Sequence, residues 1–297
     1  MHINPVFQRE IKQNSRMKKT IVLLTGFNVL LIIFGLFAFY LTLDGTGESG
    51  NSFNYSDILS IYAIITAIEY TLLLFITPGI TAGSIAGERE KQTLDLLLTS
   101  KMTTKSIIRG KLWASIGLLM LLAISSLPVI GIVFAIGGIT FMNVLHFMVL
   151  LITTAIFIGS IGIFFSCICK RTTMSTVCTY TTLLIITIGL ASLMLGEHIM
   201  EPLLGVQSDM YNGNTTLGIG VGPPILLLLL NPVFTFLSML KNQIGFSFAF
   251  FGNWKTTSQT VYYVLQHWFF ISILLQLVIA FVLNIISAQV IKPRGRK

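Results

Sequence analysis

The sequence predicts an all-α polytopic membrane protein with six transmembrane helices. Of its 297 residues, 54% are hydrophobic and only 10% are charged, whereas a soluble domain carries about 25% charged residues. The apolar residues form runs long enough to cross a bilayer, and Lys and Arg gather at the ends of these runs. We therefore interpret residues 1–297 as a single transmembrane domain. The predicted spans cover about residues 21–43, 58–83, 106–136, 141–169, 174–196 and 261–290.

The net charge of +8 does not indicate nucleic-acid binding. The basic residues flank apolar segments instead of forming a groove-like patch, which is typical of the cytoplasmic loops of a membrane protein. The three cysteines, Cys167, Cys169 and Cys178, have no cluster of further ligands near them, and the four histidines are scattered. The sequence therefore predicts no metal site.

The first element is a basic amphipathic stretch over residues 4–19. Its apolar residues, such as Phe7 and Ile11, can enter the membrane interface while its basic residues face lipid phosphates. The apolar run that follows, residues 21–43, exceeds the roughly 7–15 residues of a signal-peptide core. We therefore interpret it as the first span.

The second span, residues 58–83, carries Glu69 near its centre. An acid there costs about 3 kcal/mol on insertion, so we expect Glu69 to face protein or a water-filled cavity. Two interpretations stay open: a proton or cation site, or a carboxyl that is hydrogen-bonded to a neighbouring helix. Glycines at intervals of four, Gly79, Gly83 and Gly87, predict a face for close helix packing.

A polar segment separates the second and third spans, and it predicts an amphipathic helix at about 88–99. Leu94, Leu97 and Leu98 share one face of this helix, and charged residues lie largely around the other. Such a helix is expected to lie on the membrane surface or to dock on another protein. The basic residues at 101–111 are interpreted as topology anchors.

The outer region, residues 197–259, contains an apolar run from Pro223 to Leu240 that Asn231 and Pro232 interrupt. Its length of about 18 residues is the lower limit for a span. With six spans, 17 of the 19 Lys and Arg residues are cytoplasmic; a seventh span would leave 15. The positive-inside bias favours six spans, both termini in the cytoplasm, and a re-entrant or interfacial hairpin at 223–240.

The candidate catalytic motifs of this sequence are incomplete. Gly110-Lys111 lacks the preceding glycine and the following Ser or Thr of a phosphate-binding loop. A lipid-modifying enzyme would have to use the outer acids Glu197, Glu201 and Asp209 with His198, and only one of these acids adjoins the histidine. We therefore predict that the chain is not an enzyme.

Residues 87–100, GEREKQTLDLLLTS, closely resemble the G-E-R-E-x-x-T-L-[ED]-L-L-L-[TS]-[ST]-P segment of ABC-2 type transporter permeases. In that family the segment follows the second of six spans. Residues 4–7, NPVF, followed by Arg9 and Glu10, resemble the N-terminal opening of the family. Lys101 departs from the pattern, since the family usually has Pro there.

The resemblance implies the membrane subunit of an ABC exporter in the cell membrane. It implies a second permease subunit, identical or related, with the substrate pathway along the subunit interface. It also implies a separate ATPase subunit that uses ATP-Mg, while this chain binds no cofactor. Residues 4–19 would be the elbow helix and 88–99 the coupling helix. The residues implied in ATPase coupling are Glu88, Arg89, Glu90, Lys91, Thr93, Leu94, Asp95, Leu97 and Leu98.

An ion- or proton-coupled carrier or channel that works through Glu69 is the alternative hypothesis. It predicts transport without ATP and loss of transport in Glu69→Gln. The sequence shows no inverted repeat of three spans, which many such carriers have, and Glu69 is the only acid predicted near the centre of a span.

Overall fold

The computed structural model describes residues 5–47, 55–94, 103–137, 139–190, 192, 223–245 and 259–291, and no strand occurs among them. Six helices in this part of the chain are long and apolar enough to cross a membrane, so the predicted fold class is confirmed. The elements are α1 Pro5–Arg16, α2 Lys18–Gly47, α3 Tyr55–Thr81, α4 Ala86–Glu90, α5 Thr104–Ile136, α6 Phe141–Ile168, α7 Thr172–Leu184, a π-helical turn Ile185–Gly189, a 3-10 helix Pro223–Leu230, α8 Pro232–Ile244, α9 Gln259–Gln266 and α10 Trp268–Ile291.

The helices of the predicted spans begin and end close to the predicted positions, with two differences. α7 changes into the π-helical turn at Ile185, and most of the predicted remainder of that span lies outside the described residues. The predicted last span, residues 261–290, is not one helix, because a turn at His267 separates α9 from α10. Pro128 lies inside α5 without ending it.

One compact unit comprises residues 1–179 and 277–297. Within it, α3 packs against α2, α5 and α6, while α1 lies along α5. The largest fully buried side chains of this unit include Tyr62 and Tyr70 of α3 and Phe147 and Phe157 of α6. α3 therefore packs against three other long helices of this unit.

The second compact unit comprises residues 180–276. Asn231 ends the 3-10 helix and caps α8, because its Oδ1 accepts hydrogen bonds from the N–H groups of Val233 and Phe234 at 3.0 and 3.3 Å. The predicted interruption at Asn231 and Pro232 is thus the start of a new helix. The placement of this pair of helices relative to a membrane stays a prediction, and residues 246–258 of the outer region lie outside the described part.

The tightest helix contact among the glycines described in the first unit is not at Gly83 or Gly87. α3 ends at Thr81, so Gly83 and Gly87 do not continue its face, and a Cβ added to Gly83 would meet nothing within 4 Å. The tight contact instead occurs at Gly162 of α6. A Cβ there would overlap Thr81 Oγ1 and lie 3.2 Å from the backbone nitrogen of Ala82, so glycine is required for α6 to pack on the end of α3.

Candidate functional site at the α3–α4 junction

The segment between α3 and Leu94 is not one continuous helix. Residues 82–85 form a turn, α4 follows, and a second turn at Lys91 and Gln92 precedes Leu94. α4 ends in a Schellman turn, in which the N–H of Thr93 donates to the carbonyl of Glu88 at 2.9 Å and that of Gln92 to Arg89 at 3.1 Å. Gln92 adopts a left-handed φ of 56°. The Thr93 hydroxyl also donates to the Glu88 carboxylate, which holds the turn closed.

The prediction of one continuous helix over 88–99 is therefore wrong in its first part. Its helical pattern is interrupted after Glu90, and helix resumes at Leu94. The physical reason is the αL turn at Gln92, a position that glycine usually occupies and that the sequence pattern does not reveal. Asp95, Leu97 and Leu98 lie outside the described residues.

Backbone groups at the start of α4 are held by α6. The hydroxyl of Ser166 accepts hydrogen bonds from the N–H groups of Ile85 at 2.9 Å and Ala86 at 2.8 Å. From the beginning of α7, the Ser175 hydroxyl donates to the carbonyl of Ala82 at 2.8 Å. Because the first N–H groups of a helix have no partner within it, these contacts fix the entry into α4.

Two adjacent side chains of α4 clasp the connection between α6 and α7. Arg89 donates to the carbonyls of Cys169 at 2.7 Å and Cys167 at 3.0 Å, which lie at the C-terminal end of α6, where cations are favoured. Glu90 accepts hydrogen bonds from the backbone N–H of Thr172 at 2.8 Å and from its hydroxyl at 3.0 Å. Since Thr172 begins α7, this carboxylate also sits at the favourable end of that helix.

A buried lysine joins three helices at the junction. Lys111 of α5 lies with its Nζ 3.0 Å from Glu10 Oε1 of α1 and 3.3 Å from Glu88 Oε1 of α4. The lysine side chain is only 4% exposed, whereas the two glutamates are about a quarter exposed, at 26% and 25%. We call Glu10, Glu88 and Lys111 the junction ion cluster. Arg9 adds positive charge near Glu88.

The apolar side of the segment is anchored as well. Leu94 is 8% exposed and belongs to a buried cluster. Lys91 is exposed and Thr93 is half-buried, so the outward edge of the described segment consists of Glu90, Lys91 and Gln92. The cluster around Leu94 comprises Ile85, Ile108, Leu112, Ile116, Ile163, Cys167, Ala288 and Ile291.

The structure brings together residues that the sequence analysis did not combine. Lys111 was interpreted as a topology anchor, and Glu10 and Ser166 were given no role at the site. A signal for Lys111 exists in the sequence, since it follows Ile107 and Ile108 at helical spacing and so shares their buried face. A lysine on such a face needs an acidic partner.

Glu69, the other predicted candidate, lies apart from the junction. It is fully buried, and Ser126 of α5 lies within hydrogen-bond distance of its Oε1, at 2.5 Å. The two candidates are thus a charged cluster at the end of the spans and a lone carboxyl within them.

Several apolar helices with a charged junction between them define a multi-pass membrane protein. The chain belongs to the ABC-2 type transporter family, whose family model matches residues 2–204. The matched region contains α1, the α3–α4 junction and Glu69. None of the curated proteins compared with the chain matches it. By its family, the protein is a permease component of an ABC transporter.

Proposed function

We propose that this chain is the membrane subunit of an ABC exporter. It forms the substrate pathway as a dimer, with an identical or a related chain, and a separate ATPase subunit that hydrolyses ATP-Mg drives it. The family membership supports the permease role. The observation that carries the coupling is the attachment of α4 to α5, α6 and α7 through the side chains of three consecutive residues, Glu88, Arg89 and Glu90, and from there to α1 through Lys111.

A coupling element has to make different contacts in two states and pass the difference on. At this junction Arg89 and Glu90 hold the α6–α7 connection, and Glu88 holds Lys111. A force on the exposed edge at Lys91 and Gln92 therefore acts on all of these helices together. In this proposal Glu88 and Arg89 transmit motion within the subunit, while Glu90, Lys91 and Gln92 belong to the surface that the ATPase contacts.

The orientation follows from the charge distribution. The junction and both termini are placed in the cytoplasm, because 17 of 19 Lys and Arg residues then lie on that side. The membrane is the plasma or inner membrane, and residues 4–19, which contain α1, form the elbow at its surface. The junction then lies on the side of the membrane where ATP is available to a partner subunit.

Affinity purification from native membranes tests the proposal. A tagged chain is expected to bring down an ATPase subunit, identified by mass spectrometry, and the double variant Lys91→Glu/Gln92→Glu is expected to reduce its recovery at least tenfold. Lys105→Glu is the matched control, since Lys105 is also exposed but lies on α5. Equal recovery of the ATPase with the double variant and the control would exclude docking at this edge.

The buried carboxyl of Glu69 keeps the carrier hypothesis testable beside the exporter. Substrate movement in sealed vesicles without ATP, abolished by Glu69→Gln, would support a carrier. Movement that requires ATP and the ATPase subunit would support the exporter and exclude the carrier.

A further inference from the structure

The carboxyl of Glu69 is enclosed in the middle of α3. Glu69 and Ser126 are both 0% exposed. Oε1 lies 2.5 Å from the Ser126 hydroxyl, while Oε2 has no hydrogen-bond partner among the residues that the structure describes. The buried carboxyl thus has a hydrogen-bond partner at only one of its two oxygens. Whether it is ionised or protonated therefore has to be decided from its surroundings.

The number of available protons answers this question. Ser126 Oγ lies 2.5 Å from Glu69 Oε1 and 2.7 Å from the carbonyl of Ala123. A hydroxyl has one proton and a carbonyl has none, so Ser126 can make a full hydrogen bond as donor to only one of these two oxygens. If it donates to Ala123, as its position on the same helix favours, the contact with Glu69 needs a second proton. A protonated carboxyl supplies it, and both short contacts are then hydrogen bonds.

The charges on the neighbouring helices lead to the same state. The basic residues of α5, Lys105, Arg109 and Lys111, lie in its first turns, and even Lys111 is about 22 Å along the axis from Ser126. α2 carries no charged residue between Ile21 and Leu43, and its titratable residue in that range is Tyr40. An ionised Glu69 would therefore be buried without a cation.

The remaining titratable groups of the helices packed around Glu69 include no lysine or arginine. On α6 they are His146 and Cys167. Thr154, which contacts Tyr70 at 3.3 Å, is about 12 Å along α6 from His146. Among the described side chains of α3 they are Asp57 near its start, Tyr62, which lies close enough to be affected by charge on Glu69, and Tyr70.

We infer that Glu69 and Ser126 form an intramembrane proton-binding site. The proton on Glu69 joins α3 to α5 through Ser126, and the site releases it when these helices separate enough to admit water, because a hydrated glutamate ionises near pH 4.3. Acidification therefore favours the packed arrangement of α3 and α5, and alkaline conditions oppose it. The inference does not depend on the proposed exporter function, since it rests on the packing of two helices of this chain.

Infrared spectroscopy of the purified full chain tests the inference directly. At neutral pH the wild-type spectrum minus that of Glu69→Gln is expected to contain the C=O stretching band of a protonated carboxyl, and the band is expected to shift in deuterated water. Glu90→Gln is the control, because exposed Glu90 should contribute only carboxylate bands. A difference spectrum with carboxylate bands alone would overturn the inference.

A second pair of variants tests the site if Glu69→Gln does not fold. Ser126→Ala is expected to shift the protonated-carboxyl band, because the carboxyl loses its hydrogen-bond partner. Ser125→Ala, at the adjacent position bonded to Asn28, is expected to leave the band in place. An unchanged band in Ser126→Ala, or no such band in wild type, would exclude the site. Neither readout involves the ATPase, so failure here is distinct from failure of the proposed coupling.

Discussion

Glu88 and Glu69 are two acids of the same stretch of chain that are stabilised by different means. Glu88 is a quarter exposed and lies 3.3 Å from the Nζ of Lys111. Glu69 is fully buried, and its partner is a hydroxyl of the same helix α5 that carries Lys111. At the end of the spans a lysine compensates an acid, whereas in their middle the inferred compensation is a proton.

The difference follows from the surroundings of each group. At the junction, water reaches the glutamates, so two acids and a lysine can keep their charges at moderate cost. In the middle of the spans a second ion would add its own desolvation penalty, and a neutral carboxyl avoids both. The junction is thus expected to depend on charge and the Glu69 site on protonation, and the following variants test that contrast.

Replacing the lysine of the junction ion cluster is expected to have the largest effect. Lys111→Met leaves Glu10 and Glu88 without their shared cation and should lower the free energy of unfolding by about 3 kcal/mol. The measurement is the thermal unfolding midpoint of the purified chain in detergent. Lys105→Met, on the exposed side of α5, is the control, and equal midpoints for the two variants would contradict a structural role for the cluster.

A substitution at Gly162 tests the contribution of close packing, as distinct from charge, near the junction. Gly162→Ala forces its new methyl against Thr81 and the backbone of Ala82, which should cost about 1–3 kcal/mol. Gly83→Ala is the matched control, because nothing lies within 4 Å of its added Cβ. The thermal midpoint should fall for the first variant and stay within error for the second; a common shift would mean that the contact is not the cause.

The spans could be predicted from the sequence because hydropathy and the position of basic residues depend on the bilayer and not on tertiary contacts. The start of α5 is an example, predicted at 106 and found at Thr104. The need of Glu69 for a protein environment was equally predictable from the cost of an acid within a span.

The contacts of the junction could not be predicted in the same way. That Lys111 meets Glu10 depends on α1 lying along α5, which no local pattern encodes. The turn at Gln92 depends on hydrogen bonds to Glu88 and Arg89, and glutamine carries no turn signal comparable to that of glycine. Ser126 was one of many hydroxyl residues in the spans, and only the packing of α3 on α5 selects it for Glu69.

Replacing Arg89 tests whether the junction needs the paired N–H donors of a guanidinium as well as its charge. Arg89→Lys keeps the charge but cannot reach both carbonyls, of Cys167 and Cys169, with two coplanar donors. We expect a loss of about 1–2 kcal/mol in the free energy of unfolding, read as a lower thermal midpoint. The neighbouring exposed residue gives the control, Lys91→Arg, and a loss as large in that variant would assign the effect to the surface and not to the clasp.

The smallest effect is expected from the same substitution at the two acids. Glu88→Gln removes a charge that Lys111 compensates and should cost about 1 kcal/mol. Glu69→Gln replaces a neutral carboxyl by an amide of the same shape, so at about pH 4 or below, where an unfolded glutamate is protonated too, it should change the free energy of unfolding by less than about 0.5 kcal/mol. As the pH rises from about 4.3 to neutral, the wild-type midpoint should fall below that of Glu69→Gln, because an unfolded glutamate is ionised there and must take up a proton on folding. The midpoints of both variants across pH measure this contrast. A large loss in Glu69→Gln at pH 7, with no dependence on pH, would mean that Glu69 is held as a carboxylate.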